Sequence, residues 1–127
     1  MHADLLLLQQ MAEGLLYLSE GDYPFEVVDL GAVNSTVAEK LVEISGKTGV
    51  EKVALPYFFR NMTKAETGAG EESLQKATRF VNLQNALQQK LADVAVYRLG
   101  SVQVSIYIIG RLPDGAFGGL KSTSIET

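Results

Sequence analysis

The chain has no cysteine and no tryptophan, and its single histidine is His2. The absence of cysteine excludes disulfides, thiolate metal ligands and a cysteine nucleophile. His2 lies at a chain end, where order is usually poor, so we do not expect a histidine general base or a histidine metal cluster. The sequence therefore lacks most of the side chains that catalysis uses, which favours a binding protein over an enzyme.

Positive charge is missing from the first third of the sequence. Residues 1–39 contain seven acidic side chains and no lysine or arginine, and the whole chain has a net charge of −4. Nucleic-acid binding needs a clustered basic face, so this distribution disfavours a direct nucleic-acid partner. An acidic segment suits a partner protein that is basic or carries a metal ion. A solvated surface that aids solubility is the simpler alternative.

The N-terminus lacks the features of an exported protein. The apolar run of residues 5–8 follows no basic segment and is broken by Gln9 and Gln10. Neither a secretory signal nor a membrane span is predicted, so we expect a cytoplasmic protein without a membrane partner. A chain of 127 residues without an internal repeat or linker predicts one domain over residues 1–127.

The clearest structural signal lies in the last third of the chain. Residues 96–99 and 102–109 are rich in β-branched and aromatic side chains and flank a short glycine-containing turn, which predicts a β-hairpin. The second segment is apolar on both faces, with Val102, Val104, Ile106 and Ile108 on one and Tyr107 and Ile109 on the other. Such a strand is typical of the centre of a layered domain. Residues 115–122 are glycine-rich and predict a loop, but their spacing fails that of a phosphate-binding loop.

Apolar periodicity and capping residues predict three main helices. The first begins at Asp4 and is predicted to end in the acidic segment 19–22. The second follows Thr36, whose spacing to Glu39 is that of a capping box, and ends at Gly46. The last is predicted over residues 71–94. With four or five strands, these helices predict an α+β fold layered around one sheet.

Five segments in this order resemble the nuclease A inhibitor family: residues 14–20, 23–27, 96–100, 107–110 and 119–127. The resemblance covers residues 14–30 and 94–127 well and is weaker between them. It implies a single-domain α-β-α sandwich around one mostly antiparallel sheet. It also implies an inhibitor of a sugar-nonspecific, magnesium-dependent DNA/RNA endonuclease, which binds that nuclease one-to-one, carries no cofactor and is not an enzyme.

The resemblance further implies which residues contact the nuclease. In the family the C-terminal threonine is directed at the catalytic magnesium ion, and a glutamate after the first helix contacts the nuclease active site. These positions correspond to Thr127 and Glu20. Magnesium prefers oxygen ligands, which a terminal carboxylate and a hydroxyl supply, and a glutamate can imitate a phosphate oxygen. With the neighbouring charges of Asp22 and Glu126, these residues form the predicted partner-binding set; the protein itself is expected to hold no metal.

Two other hypotheses stay open. The family's segment before the last helix is associated with a partner-contacting tryptophan, and residues 63–70 contain none. The chain could therefore be a protein-binding module of the same fold with a different or lost partner. The third hypothesis is a small hydrolase that uses Glu20 with Asp22, because paired carboxylates can act as acid and base.

Overall fold

The computed structural model describes residues 3–17, 23–60, 62–64 and 70–125. The helices in these ranges are α1 (Ala3–Ala12), α2 (Val37–Ser45), α3 (Leu55–Phe58) and α4 (Glu71–Lys90). The strands are β1 (Leu16–Tyr17), β2 (Tyr23–Pro24), β3 (Glu26–Gly31), β4 (Glu51–Val53), β5 (Ala92–Leu99), β6 (Gln103–Arg111) and β7 (Phe117–Ile125). Within the described ranges, no helix combines the length and the apolar character needed to cross a bilayer.

Five strands form one sheet in the order β3-β7-β6-β5-β4, while β1 and β2 pair with each other. Every neighbouring pair in the larger sheet is antiparallel. β6 lies in the middle, as its apolar residues on both faces predict. Val102 is an exception to that pattern, because it lies before β6 in the turn and is exposed.

Helices cover both faces of the sheet. α1, α3 and α4 pack on one face, where Val104, Ile106 and Ile108 of β6 join the larger hydrophobic core. α2 packs on the other face through Leu41, which is fully buried. The sheet residues of this smaller core are Ala95, Tyr97, Leu99, Tyr107 and Ile109. Burial there raises the pKa of the Tyr107 phenol. The predicted α+β fold, an α-β-α sandwich on an antiparallel sheet, is confirmed.

The glycine-rich segment predicted as a loop is instead, from Phe117 onward, the beginning of β7. Gly118 and Gly119 lie inside the strand and pair with Gly110 and Ile109 of β6. A Cβ atom on Gly119 would lie 1.8 Å from the carbonyl oxygen of Ile108. Glycine is therefore required here for close backbone approach within a strand, which composition alone does not distinguish from a turn.

The first helix ends earlier than predicted. α1 stops at Ala12, and Gly14 has a left-handed φ of 80°. The backbone N–H of Leu15 donates to the Ala12 carbonyl oxygen over 3.0 Å, which closes the last turn. The predicted end at residues 19–22 was wrong because Gly14 reverses the chain and allows residues 16–17 to form β1.

Capping residues predicted the ends of α2 correctly, whereas apolar periodicity did not predict the C-terminal end of α4. Thr36 Oγ1 accepts from the backbone N–H of Glu39 over 3.1 Å, and Gly46 adopts the left-handed conformation after α2, as predicted. The last helix was predicted to reach residue 94, but α4 ends at Lys90 and Leu91 is already extended. Its apolar stripe continues into β5, so periodicity alone could not detect this end.

The close approach of β6 and β7 gives a stability prediction. Gly119→Ala is expected to lower the free energy of unfolding by about 3 kcal/mol or more, because the backbone of one strand must shift. Gly70→Ala is the matched control, since its Cβ would meet no atom within 4 Å; we expect a cost below about 1 kcal/mol. Urea unfolding followed by circular dichroism measures both. Equal stability of the two variants would contradict this strand pairing.

Candidate functional site

The end of the sheet at which β7 finishes is the candidate site. Ile125, the last residue of β7, pairs with Gln103, the first residue of β6. Gly100 and Ser101 connect β5 to β6 immediately beside this pair. The described part of the chain thus ends next to a tight turn, on a strand that pairs with β6 up to its last residue.

The β1–β2 hairpin lies at the same end of the sheet. Glu26 of β3 is opposite Lys121 of β7, and the two strands are antiparallel, so the chain before Glu26 runs towards the end of β7. The side-chain hydroxyl of Ser122 donates to the backbone carbonyl oxygen of Tyr23 over 3.3 Å. Tyr23 pairs in turn with Tyr17 across the hairpin. Tyr17 and Tyr23, which flank the sequence that contains Glu20 and Asp22, therefore belong to a hairpin that contacts β7.

Lys47 fixes the same end of the sheet from the α2 side. Its Nζ atom donates to the carbonyl oxygen of Gln103 over 2.8 Å and contacts the hydroxyl oxygen of Ser105 over 2.9 Å. Lys47 directly follows Gly46, whose left-handed backbone turns the chain after α2. The ammonium group thus ties the start of β6 to the end of α2, next to the strand pair that terminates at Ile125.

The four predicted contact residues, Glu20, Asp22, Glu126 and Thr127, lie outside the described residues. The structure describes their neighbours in sequence, Tyr17 and Tyr23 on either side of the acidic pair and Ile125 before the chain end. Tyr17 and Tyr23 pair with each other, and Tyr23 contacts β7 at Ser122, three residues before Ile125. The prediction of the four residues themselves stays a prediction.

Two buried hydroxyls and several exposed charges surround this end of the sheet. Ser122 and Ser124 are the buried polar residues among the described ones. Ion pairs join Lys121 to Glu26 over 3.9 Å and Arg98 to Glu51 over 3.4 Å, with partly exposed side chains in both cases. Exposed pairs of this kind add little stability. Within the described ranges, no three histidine, cysteine or acidic side chains come together as a metal site.

The contacts of Ser122 and Lys47 were missed by sequence reasoning. Ser122 contacts a residue 99 positions away, and Lys47 contacts residues 56 and 58 positions away. A serine in a glycine-rich segment and a lysine after a helix are ordinary locally. Only the strand order brings their partners within reach.

The chain matches a known protein family over nearly its whole length. The family model NuiA, nuclease A inhibitor-like protein, matches residues 4–127. The chain belongs to this nuclease A inhibitor-like family. The match extends over the middle of the chain, where the resemblance in sequence is weakest, and it confirms the family inferred from the five segments. A search among curated proteins returned no match. The family name indicates an inhibitor-like protein whose partner is a nuclease, rather than an enzyme.

Lys47 gives a second stability prediction. Lys47→Met is expected to lower the free energy of unfolding by about 1 kcal/mol, because the Gln103 carbonyl and the Ser105 hydroxyl lose a charged donor. The control is Lys76→Met on the exposed face of α4, for which we expect a change within about 0.5 kcal/mol. Chemical denaturation measures both variants. A Lys47→Met protein as stable as the control would show that the contact contributes nothing.

Proposed function

We propose that this protein inhibits a sugar-nonspecific, magnesium-dependent endonuclease by binding it one-to-one and occluding its active site. The occluding elements are the C-terminal residues Glu126 and Thr127 and the acidic connection that contains Glu20 and Asp22. Membership of the nuclease A inhibitor-like family supports a nuclease as the partner. The acidic first third of the chain supports a partner site that binds phosphates or a metal ion.

The single observation that carries the proposal is the hydrogen bond between Ser122 and Tyr23. It joins β7, three residues before Ile125, to the strand that follows Glu20 and Asp22 in sequence. Tyr23 and Ile125, the described residues next to the two acidic segments in sequence, therefore belong to strands that contact each other. An inhibitor that fills a single active site needs its contact residues on one side of the molecule, and the contact between β2 and β7 supports that arrangement.

The chemistry of these residues fits a metal-dependent nuclease. A terminal carboxylate and the threonine hydroxyl offer oxygen atoms to a magnesium ion held by the nuclease, directly or through water. Carboxylates of Glu20 and Asp22 can occupy positions of substrate phosphate oxygens and accept from arginine or lysine side chains. The described residues next to these elements in sequence, Tyr23 and Ile125, are paired in strands, which limits the conformational freedom that binding has to remove.

Removal of the last two residues tests the role of the chain end. Deletion of Glu126 and Thr127 is expected to raise the inhibition constant by about 30-fold or more, the equivalent of about 2 kcal/mol. The deletion begins after the last residue of β7, so the free energy of unfolding should change little. Cleavage of DNA in the presence of magnesium gives the inhibition constant. Full inhibition by the truncated protein would remove the chain end from the mechanism, and full cleavage with excess intact protein would reject inhibition of that nuclease.

Neutralising the acidic connection tests the second element. Glu20→Gln and Asp22→Asn together should weaken inhibition by about tenfold or more and slow association, because charge complementarity mainly sets the rate of encounter. The control for loss of charge is Glu43→Gln. Glu43 is an exposed residue of α2, the helix on the sheet face that α1, α3 and α4 do not cover. Stopped-flow association at two salt concentrations measures the rates. If Glu43→Gln has the same effect as the double variant, only net charge matters.

A second candidate function rests on the missing tryptophan. An aromatic anchor often contributes about 2 kcal/mol or more to a protein interface, and residues 63–70 contain no aromatic side chain. The protein would then be a binding module of the same fold with a different partner. Affinity capture with the intact chain separates the two: recovery of a nuclease supports inhibition, and recovery of a different basic protein supports the module.

A further inference from the structure

The short helix α3 and the turn that follows it present an aromatic and a basic side chain together at the surface. Tyr57 is 59% exposed, although its neighbours Phe58 and Phe59 are buried. The guanidinium carbon of Arg60 lies 3.7 Å from the centroid of the Tyr57 ring. Arg60 Nη1 also donates to the Tyr57 carbonyl oxygen over 2.6 Å. The two side chains thus form one stacked unit at the surface, which we call the Tyr57–Arg60 pair.

The backbone below this pair is firmly attached to the core. The rings of Phe58 and Phe59 are edge to face, with centroids 5.1 Å apart, and Phe59 lies 6.0 Å from Phe80 of α4. The carbonyl oxygen of Phe59 accepts from the backbone N–H of Met62 and of Thr63. A side-chain pair on such a support is already ordered before any partner binds, which lowers the entropic cost of a contact.

The buried rings below the Tyr57–Arg60 pair also contact the segment that follows the β1–β2 hairpin. Phe59 lies 6.3 Å from Phe25, measured between ring centroids. Phe25 directly follows β2, the strand whose Tyr23 carbonyl accepts from Ser122. One cluster of rings therefore connects α3 to the hairpin beside the end of β7.

We propose that the Tyr57–Arg60 pair is a further contact surface for the nuclease and that it binds an acidic patch on that protein. This inference rests on the proposed function. The Tyr57 ring would pack on an apolar side chain, while N–H groups of Arg60 not used by the Tyr57 carbonyl donate to a carboxylate. Exposed Lys64 adds positive charge near this surface in sequence. Tyrosine and arginine, with tryptophan, are also enriched among the residues that dominate binding energy at interfaces.

The charge distribution favours a protein over a nucleic acid as the occupant. A stacked tyrosine and arginine could also hold an unpaired base. Binding along a nucleic-acid backbone needs a basic groove, however, and this chain has a net charge of −4. Binding a single carboxylate on a protein surface requires only the local positive charge of Arg60. The pair thus differs from the acidic elements of the site, which suit basic groups of the same partner.

Equilibrium binding of the nuclease to surface variants tests the inference. Tyr57→Ala and Arg60→Ala are each expected to raise the dissociation constant at least about tenfold. Arg60→Lys should recover only part of the loss, since lysine keeps the charge but not the planar donor group. The control is Leu74→Ala on α4, where the side chain is 53% exposed, and no change is expected. Circular dichroism verifies that every variant is folded, and Arg60→Ala serves if Tyr57→Ala is not.

The possible outcomes separate this inference from the function on which it rests. If the intact protein inhibits the nuclease and both alanine variants bind like Leu74→Ala, the Tyr57–Arg60 contact is rejected and the proposed function stands. If the intact protein does not bind the nuclease, both are rejected. If a single-stranded oligonucleotide binds the intact protein, loses affinity in Tyr57→Ala, and nuclease binding is unchanged, the pair is a nucleic-acid contact instead.

Discussion

The close pairing of β6 with β7 is the constraint on which the rest of the structure depends. Gly119 leaves room for the carbonyl oxygen of Ile108, and Gly118 leaves room for the side chain of Leu5. The same two glycines therefore set the distance between two strands and the depth at which α1 packs on the sheet. Because β7 pairs with β6 up to Ile125 and Ser122 bonds to Tyr23, the end of β7 has a fixed position relative to the hairpin and the β5–β6 turn.

The parts of the fold that could be predicted are those with a local physical cause. The capping of α2 by Thr36 and Gly46 involves groups within one turn of each helix end. The central position of β6 follows from apolar residues on both faces of one segment. The glycines of β7 carry no such local signal, because a tight turn and a close strand approach both need the smallest residue. Their role is visible only once Ile108 is opposite.

The candidate site also contains some features that local sequence patterns predict and others that they do not. Glu20 and Thr127 were assigned through resemblance to a family, and no periodicity or spacing in the sequence identifies them. Physical reasoning on the sequence supplied the acidic bias of residues 1–39 and the shortage of catalytic side chains. The contacts that organise the described part of the site, Ser122 with Tyr23 and Lys47 with Gln103, join segments far apart in the chain. They depend on the strand order, which local patterns do not determine.

The missing tryptophan and the Tyr57–Arg60 pair bear on one question, namely how this chain can bind a nuclease without that anchor. A single large aromatic side chain stabilises a complex through the apolar area it buries and through its rigidity. Tyr57 has both properties, because more than half of its surface is exposed and Arg60 holds its ring in place. In the proposed contact its charged neighbour Arg60 would add a requirement that a lone tryptophan does not impose, since the partner would have to offer a carboxylate.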